Sequence, residues 1–155
     1  MMNIVLYQPE IPQNTGNIGR TCAVTGARLH IIKPMGFSID DKHVKRSGLD
    51  YWPLLDLTVY ENLEEFFEKT EGGRYFFATT KGKKTYSDFE FQDEDYIVFG
   101  KETGGLPQVI HDNYSEFCMR IPMKNIEEAR SLNLSNTVAL VLYEALKQLD
   151  FPGLR

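Results

Sequence analysis

A chain of 155 residues has room for one domain with a sizeable core and hardly for two. Hydrophobic residues make up 42% and charged residues 25%, a globular composition that excludes disorder; the longest nearly apolar run, Thr137 to Tyr143, falls far short of the roughly 20 residues a membrane span requires. The formal net charge of −5 excludes a uniformly basic nucleic-acid binder.

Asn3-Ile4-Val5-Leu6-Tyr7 is predicted as a short buried strand, followed by a proline-bearing loop from Gln8 to Gln13. No basic region leads into an apolar stretch here, because Pro9 and Pro12 interrupt it, so a cytoplasmic chain is expected. Asn14 or Thr15 can cap a helix running through Ala23 and Val24, and Gly26 sits where a left-handed C-cap is wanted. Leu29-His30-Ile31-Ile32 is a second strand, stopped by Lys33-Pro34, and Asp40 to Ser47 can form a short basic helix. Leu63, Phe66 and Phe67 keep helical i, i+3, i+4 spacing, which leaves Glu61, Glu64, Glu65, Glu68 and Glu71 to solvent.

Tyr75-Phe76-Phe77-Ala78-Thr79 and Tyr96-Ile97-Val98-Phe99 are continuous apolar runs, the pattern of parallel strands buried on both faces. Cys118-Met119-Arg120-Ile121 is predicted as a further strand. The last helix runs from Leu134 to Leu149. Its apolar positions, Leu134, Val138, Leu140, Val141, Leu142, Leu146 and Leu149, cover more than one stripe. That points to a subunit interface, with a central core helix of a monomer as the alternative. Strands alternating with helices argue for an α/β fold, a mostly parallel sheet with helices on both faces. Cys22 and Cys118 lie far apart without metal-ligand spacing, so buried reduced thiols are expected, and no metal.

Three loops carry candidate chemistry. Asn14-Thr15-Gly16-Asn17-Ile18-Gly19-Arg20 opens a helix where free N–H groups favour an anion, and Arg20 can grip a phosphate or carboxylate with a planar fork. An ordinary first helical turn is its alternative. Phe99-Gly100-Lys101-Glu102-Thr103-Gly104-Gly105-Leu106-Pro107 follows a buried strand, where ligands of open α/β sheets bind, and its glycines admit close backbone approach. Its lysine lacks phosphate-loop spacing, which disfavours nucleotide hydrolysis, and a structural turn is the alternative. After Ile121-Pro122-Met123 comes Ser131-Leu132-Asn133-Leu134-Ser135-Asn136, more small polar residues in a row than a helix cap needs.

Together these loops resemble the three motifs of the SPOUT class of RNA methyltransferases. The likeness is closest to the TrmL/YibK family of tRNA (cytidine/uridine-34) ribose 2′-O-methyltransferases. It covers nearly the whole chain, including Pro9-Glu10-Ile11-Pro12, Pro34-Met35-Gly36-Phe37, Gly48-Leu49-Asp50-Tyr51 and Thr79-Thr80-Lys81-Gly82. The resemblance implies one SPOUT domain over residues 1–155, with a C-terminal trefoil knot over about 75–150, and a homodimer whose site uses both subunits. It implies S-adenosylmethionine as methyl donor, held by Ala78, Thr79, Gly100, Glu102, Gly105, Ile121, Met123, Ser131, Leu132 and Leu134. The acceptor it implies is the ribose 2′-hydroxyl of the tRNA wobble nucleotide, C or modified U, with leucine tRNAs as expected substrates. It places Arg20, Asn14, Glu102, Ser131 and Asn133 at the reacting ribose. Guanidinium keeps its proton above about pH 12, so Arg20 is read as a phosphate grip that stabilises alkoxide charge, with Glu102 or water taking the proton. Gly19 departs from the family, standing where relatives often carry a bulkier residue, and Lys124 to Ala129 is acidic and irregular.

For RNA, residues 14–50 hold Arg20, Arg28, Lys33, Lys42, Lys45 and Arg46 against Asp40, Asp41 and Asp50, a local +3 in an acidic chain. Phosphate contacts act within a Debye length of about 8 Å, so one basic face suffices. Lys42, His43, Lys45 and Arg46 form one candidate cluster and Lys81, Lys83 and Lys84 another, each with a plain solvated face as its alternative. His30 and His111 are expected to be structural or surface histidines. Three competing readings remain: an RNA-binding module without catalysis, which would predict a damaged donor pocket; an α/β hydrolase or nucleotide enzyme, for which no nucleophile elbow, metal cluster or phosphate loop occurs; and an enzyme of the same class acting on ribosomal RNA or on a base. Membrane and DNA are not expected as partners.

Overall fold

Alternating residues of the first strand, β1 (Asn3–Tyr7), are buried on opposite sides: Ile4 and Leu6 in one core, Val5 in another. This two-sided burial is what the continuous apolar runs predict. The computed structural model describes residues 1–40, 42, 44, 46, 51–126 and 131–155. The remaining strands are β2 (Arg28–Ile32), β3 (Leu57–Tyr60), β4 (Tyr75–Ala78), β5 (Lys84–Thr85), β6 (Tyr96–Phe99) and β7 (Cys118–Arg120). They form a seven-stranded sheet in the order β3-β2-β1-β6-β4-β7-β5, every pair parallel. The α/β architecture is therefore as the sequence predicts.

Helices α1 (Pro12–Thr25) and α4 (Leu134–Gln148) pack on one face, where Ile18 and Cys22 meet Val138, Val141 and Leu142 over Ile4, Leu6, Ile97 and Phe99. Helices α2 (Leu63–Lys69) and α3 (Gln108–Asn113) cover the other face, with Phe66 and Ile110 over Val5, Phe77 and Val98. Phe66 sits amid the rings of Tyr60, Tyr75 and Tyr96. Cys22 and Cys118 are free and buried, and burial pushes the Cys22 thiol up to about 12, so it is inert.

The second helix-packed face contains one buried polar chain. Asn3 Nδ2 donates to the carbonyls of Glu94 and Asp95, which leaves Asn3 Oδ1 as acceptor for His30 Nε2 at 2.9 Å. His30 Nδ1 must then accept from the Tyr60 hydroxyl, also at 2.9 Å. His30 is thus a structural histidine, and burial lowers its pKa to about 4.

Some expectations need correction. Asn14 and Thr15 do not cap α1; the helix starts at Pro12, whose fixed φ suits the first helical position, and both residues are buried in its first turn. Gly26 does adopt the left-handed C-cap, with φ of 77°. The strand read as ending at Thr79 stops at Ala78, and that read as reaching Ile121 stops at Arg120. Within the basic segment 40–47, Lys42, Val44 and Arg46 are helical, while Asp41, His43, Lys45 and Ser47 lie outside the described residues. Gly48-Leu49-Asp50 and residues 127–130 also lie outside them.

Candidate active site

All the candidate loops leave the sheet at one end. Since β1 pairs with β2 on one side and β6 on the other, the strand order reverses there, which is where open α/β sheets form their crevice. A cleft of about 510 Å³ opens at that point. Its walls come from the starts of α1 and α4 and from the segments following β4, β6 and β7.

Glycines shape the wall after β6. A Cβ on Gly100 would stand 2.3 Å from the Gly105 carbonyl carbon, so nothing larger fits as the loop folds back. Lys101 and Gly105 close that turn with paired backbone hydrogen bonds of 3.3 and 3.0 Å, and Gly105 has φ of 65°. A Cβ on Gly82 would likewise meet the Met119 backbone at 2.6 Å.

A hydrogen-bonded chain joins three of the loops. Glu102 Oε1 accepts from the backbone N–H of Glu10 at 2.9 Å; Oε2 accepts from the N–H of Ile11 at 2.8 Å and from Asn14 Nδ2 at 3.2 Å. Ile11 is the N-cap of α1, so this carboxylate sits at the positive end of the helix dipole. Asn14 Oδ1 in turn accepts from Asn133 Nδ2 at 3.1 Å. Asn133 caps α4, its Oδ1 accepting from the N–H groups of Ser135 and Asn136. Each amide is therefore fixed in orientation by partners on both sides. Elsewhere on the wall, Thr79 Oγ1 pairs with His111 Nε2 at 2.8 Å and accepts from the Lys81 N–H.

Every residue that the resemblance nominates for the methyl donor lines this cleft: Ala78, Thr79, Gly100, Glu102, Gly105, Ile121, Met123, Ser131, Leu132 and Leu134. Of the residues nominated for the reacting ribose, Asn14, Glu102, Ser131 and Asn133 line it too. Arg20 does not. It lies six residues beyond Asn14, about 9 Å further along α1, and its exposed guanidinium covers the Tyr51 ring. Of the RNA candidates, Lys81 is on the cleft wall, Lys42 and Arg46 are exposed on the surface, and Lys45 lies outside the described residues. The sequence reading assigned no site role to Ile11, Thr80, Lys101 or Thr137 and took His111 as structural or surface, yet all five line the cleft. Thr80 and Lys101 could have been found as chain neighbours of nominated residues; His111 offers no such signal. Among the described residues, no cluster of three or more His, Cys, Asp or Glu is placed to hold a metal, and no helix is long and apolar enough to cross a membrane.

Residues 1–143 match the SpoU rRNA Methylase family. A tRNA (cytidine(34)-2'-O)-methyltransferase of Methylovorus glucosotrophus (strain SIP3-4) is 53% identical over 154 residues, covering 99% of each chain. A solved structure concerned with 2-OH methylation of C/U34 on tRNA superimposes with a TM-score of 0.91 at 41% identity, covering 97% of both chains. The SpoU methyltransferase AviRb from Streptomyces viridochromogenes, in complex with AdoMet, shares the fold. Its TM-score is 0.84 at 24% identity, over 99% of this chain and 58% of that one.

Proposed function

Because the chain belongs to the SpoU rRNA Methylase family, we propose that it methylates the ribose 2′-hydroxyl of the wobble nucleotide of tRNA, using S-adenosylmethionine. One observation carries this reading: every residue nominated for the donor, and all but one nominated for the ribose, line a single cleft at the strand-order reversal. The acceptor is C or modified U at position 34, with leucine tRNAs as the expected substrates. The structure concerned with C/U34 methylation and the Methylovorus enzyme support a pyrimidine at position 34 as the target.

The cleft fits a donor of this size and chemistry. Its volume lies in the ordinary range for small-molecule sites, and Gly105, with open space where a side chain would stand, lets a ligand approach the backbone. Met123 and Leu132 are 40% and 43% exposed on its wall, apolar surface that an adenosyl group would cover. When bound, the donor supplies an electrophilic methyl group on a sulfonium.

The chain's own residues supply position and charge. The Glu102–Asn14–Asn133 chain fixes the walls on which the ribose must rest, and such positioning can supply up to about 7–11 kcal/mol of barrier reduction. Both Glu102 oxygens already accept from the segment that leads into α1, so Glu102 serves as an anchor and the hydroxyl proton leaves to water. Arg20 does not line its own cleft, and in the homodimer it serves the cleft of the second copy, gripping phosphate and stabilising alkoxide charge. Lys42, Lys45, Arg46 and Lys81 track the RNA backbone. Residues 1–155 act as one domain, with the trefoil knot in about 75–150. Support comes from a core cluster reaching from Met2 to Leu146 and from β6 lying between β1 and β4.

The test incubates purified protein with tritiated S-adenosylmethionine and unfractionated bacterial tRNA, then identifies the labelled nucleoside by mass spectrometry. A 2′-O-methylated pyrimidine mapping to position 34 is expected. Label in a base, or no donor binding by calorimetry, sinks the reading.

A further inference from the structure

The strands β1 and β6 are neighbours in the sheet, so their exit segments, Gln8 to Ile11 and Gly100 to Gly105, emerge side by side. Each segment gives the other a carboxylate. Glu102 accepts from the N–H groups of Glu10 and Ile11. In the opposite direction, Glu10 Oε1 accepts from the Thr103 N–H at 2.9 Å and from its hydroxyl at 2.8 Å, with Oε2 3.0 Å from the same hydroxyl. The two contacts form a reciprocal pair. Thr103 sits at the tip of the turn closed by Lys101 and Gly105, so Glu10 ties down the point of that turn farthest from the strand. The hydrogen bonds from Thr103 hold the Glu10 carboxyl below its usual range, with Lys101 adding to the effect.

Glu10 itself is exposed and does not line the cleft, whereas Ile11, Glu102 and Thr103 do. Its influence must therefore pass through those neighbours. We propose that Glu10 is a positioning residue: with Glu102 it forms a reciprocal carboxylate clamp that holds the 100–105 turn in place as a wall of the donor pocket. The proposal rests on the donor-pocket reading above. An exposed carboxylate contributes little to global stability, since water can replace its partners, but a turn released from Thr103 loses its fixed place beside the ligand.

The experiment compares full-length wild type, E10A, E10Q, T103A and the E10A/T103A double variant by calorimetric titration with S-adenosylmethionine, alongside thermal unfolding. E10A is expected to weaken donor binding about tenfold, the scale of one hydrogen bond to a charged group, while its unfolding midpoint moves by no more than about 4 °C. E10Q should recover most of the affinity, because its amide oxygen can still accept from Thr103. T103A should add little to E10A, since E10A already removes the partner of the Thr103 hydroxyl. Wild-type affinity in E10A, or losses that multiply in the double variant, would overturn the clamp. Failure of wild type to bind S-adenosylmethionine would instead remove the donor-pocket reading beneath it.

Discussion

The guanidinium of Arg20 lies 4.8 Å from the centroid of the Tyr51 ring, and its neighbour Gly19 is the seat of Trp52. A Cβ on residue 19 would stand 2.9 Å from Cζ3 of the indole and 3.3 Å from Leu55 Cδ2. A side chain at residue 19 would have to push the Trp52 ring out of this place. Gly19→Ala should gain about 0.5–1 kcal/mol of helix propensity but lose about 1–3 kcal/mol to overpacking. The net expectation is a lower unfolding midpoint. Trp52 is the single tryptophan, so its emission should move to the red as the indole is displaced. An unchanged spectrum with a raised midpoint would show that the seat has slack.

Arg20→Lys keeps the charge and removes the planar fork. If Arg20 grips a phosphate through two parallel N–H bonds, kcat/KM for tRNA should fall by roughly tenfold or more. Donor affinity should hold, because the role proposed for Arg20 is toward the RNA phosphate and the reacting ribose, not the donor. Both are read from steady-state methylation and calorimetry on one preparation. Near-full activity in Arg20→Lys would mean that a point charge is enough.

Asn14 is buried at 5% exposure, donating to Glu102 and accepting from Asn133. Asn14→Asp puts an acceptor where Glu102 needs a donor, at 3.2 Å from its Oε2. The like charges should cost about 1–3 kcal/mol of stability, and kcat/KM should fall further than in Asn14→Ala. Thermal unfolding and single-turnover methylation distinguish the two. Equal behaviour of the Asp and Ala variants would mean the amide's direction is irrelevant.

The position of the cleft was legible in the sequence because its loops follow buried strands, and apolar runs such as Tyr96 to Phe99 announce where those strands end; which residues hold the donor came from the family resemblance. What escaped depends on partners distant in sequence. Glu10 and Thr103 are 93 positions apart, and neither residue type says which carboxylate will meet which hydroxyl. The start of α1 was misread because Asn14 and Thr15 are good caps in isolation, whereas Pro12 had already fixed the first turn. The strands β3 and β5 went unread for another reason. In β3, Val59 is 39% exposed at the sheet edge, and β5 has two residues, so neither shows the run of buried side chains that marks a central strand.

His30 makes stability depend on pH. Its folded pKa is lowered to about 4 by burial, against an ordinary value of 6.5, so between these values the unfolded chain takes up a proton that the folded chain refuses. Stability should therefore rise with pH across that window and decline as pH falls through it, by on the order of 3 kcal/mol in all. Glu10, Glu65, Asp93 and Glu94, whose carboxyls are lowered by hydrogen bonds and ion pairs, add loss of the same sign as pH falls through their ordinary values of 4.5 for Glu and 3.8 for Asp. An NMR titration of the imidazole protons should show His30 unprotonated down to about pH 5. A midpoint near 6.5 would mean that the Asn3–His30–Tyr60 chain opens readily.

On the outer side of α4, Leu140 and Tyr143 are 38% and 45% exposed, and Val24 on the adjoining α1 is 48% exposed. The inner stripe, Val138, Val141, Leu142, Ala145 and Leu146, is already buried within the chain. An apolar face beyond what the monomer covers is the feature a symmetric dimer would use. Leu140→Lys should therefore shift the protein from dimer to monomer in analytical ultracentrifugation while its unfolding remains cooperative. If Arg20 serves the second copy, methylation should fall with the dimer fraction and recover in part at high protein concentration. A monomeric Leu140→Lys variant that methylates at the wild-type rate would show that each cleft is complete within one chain.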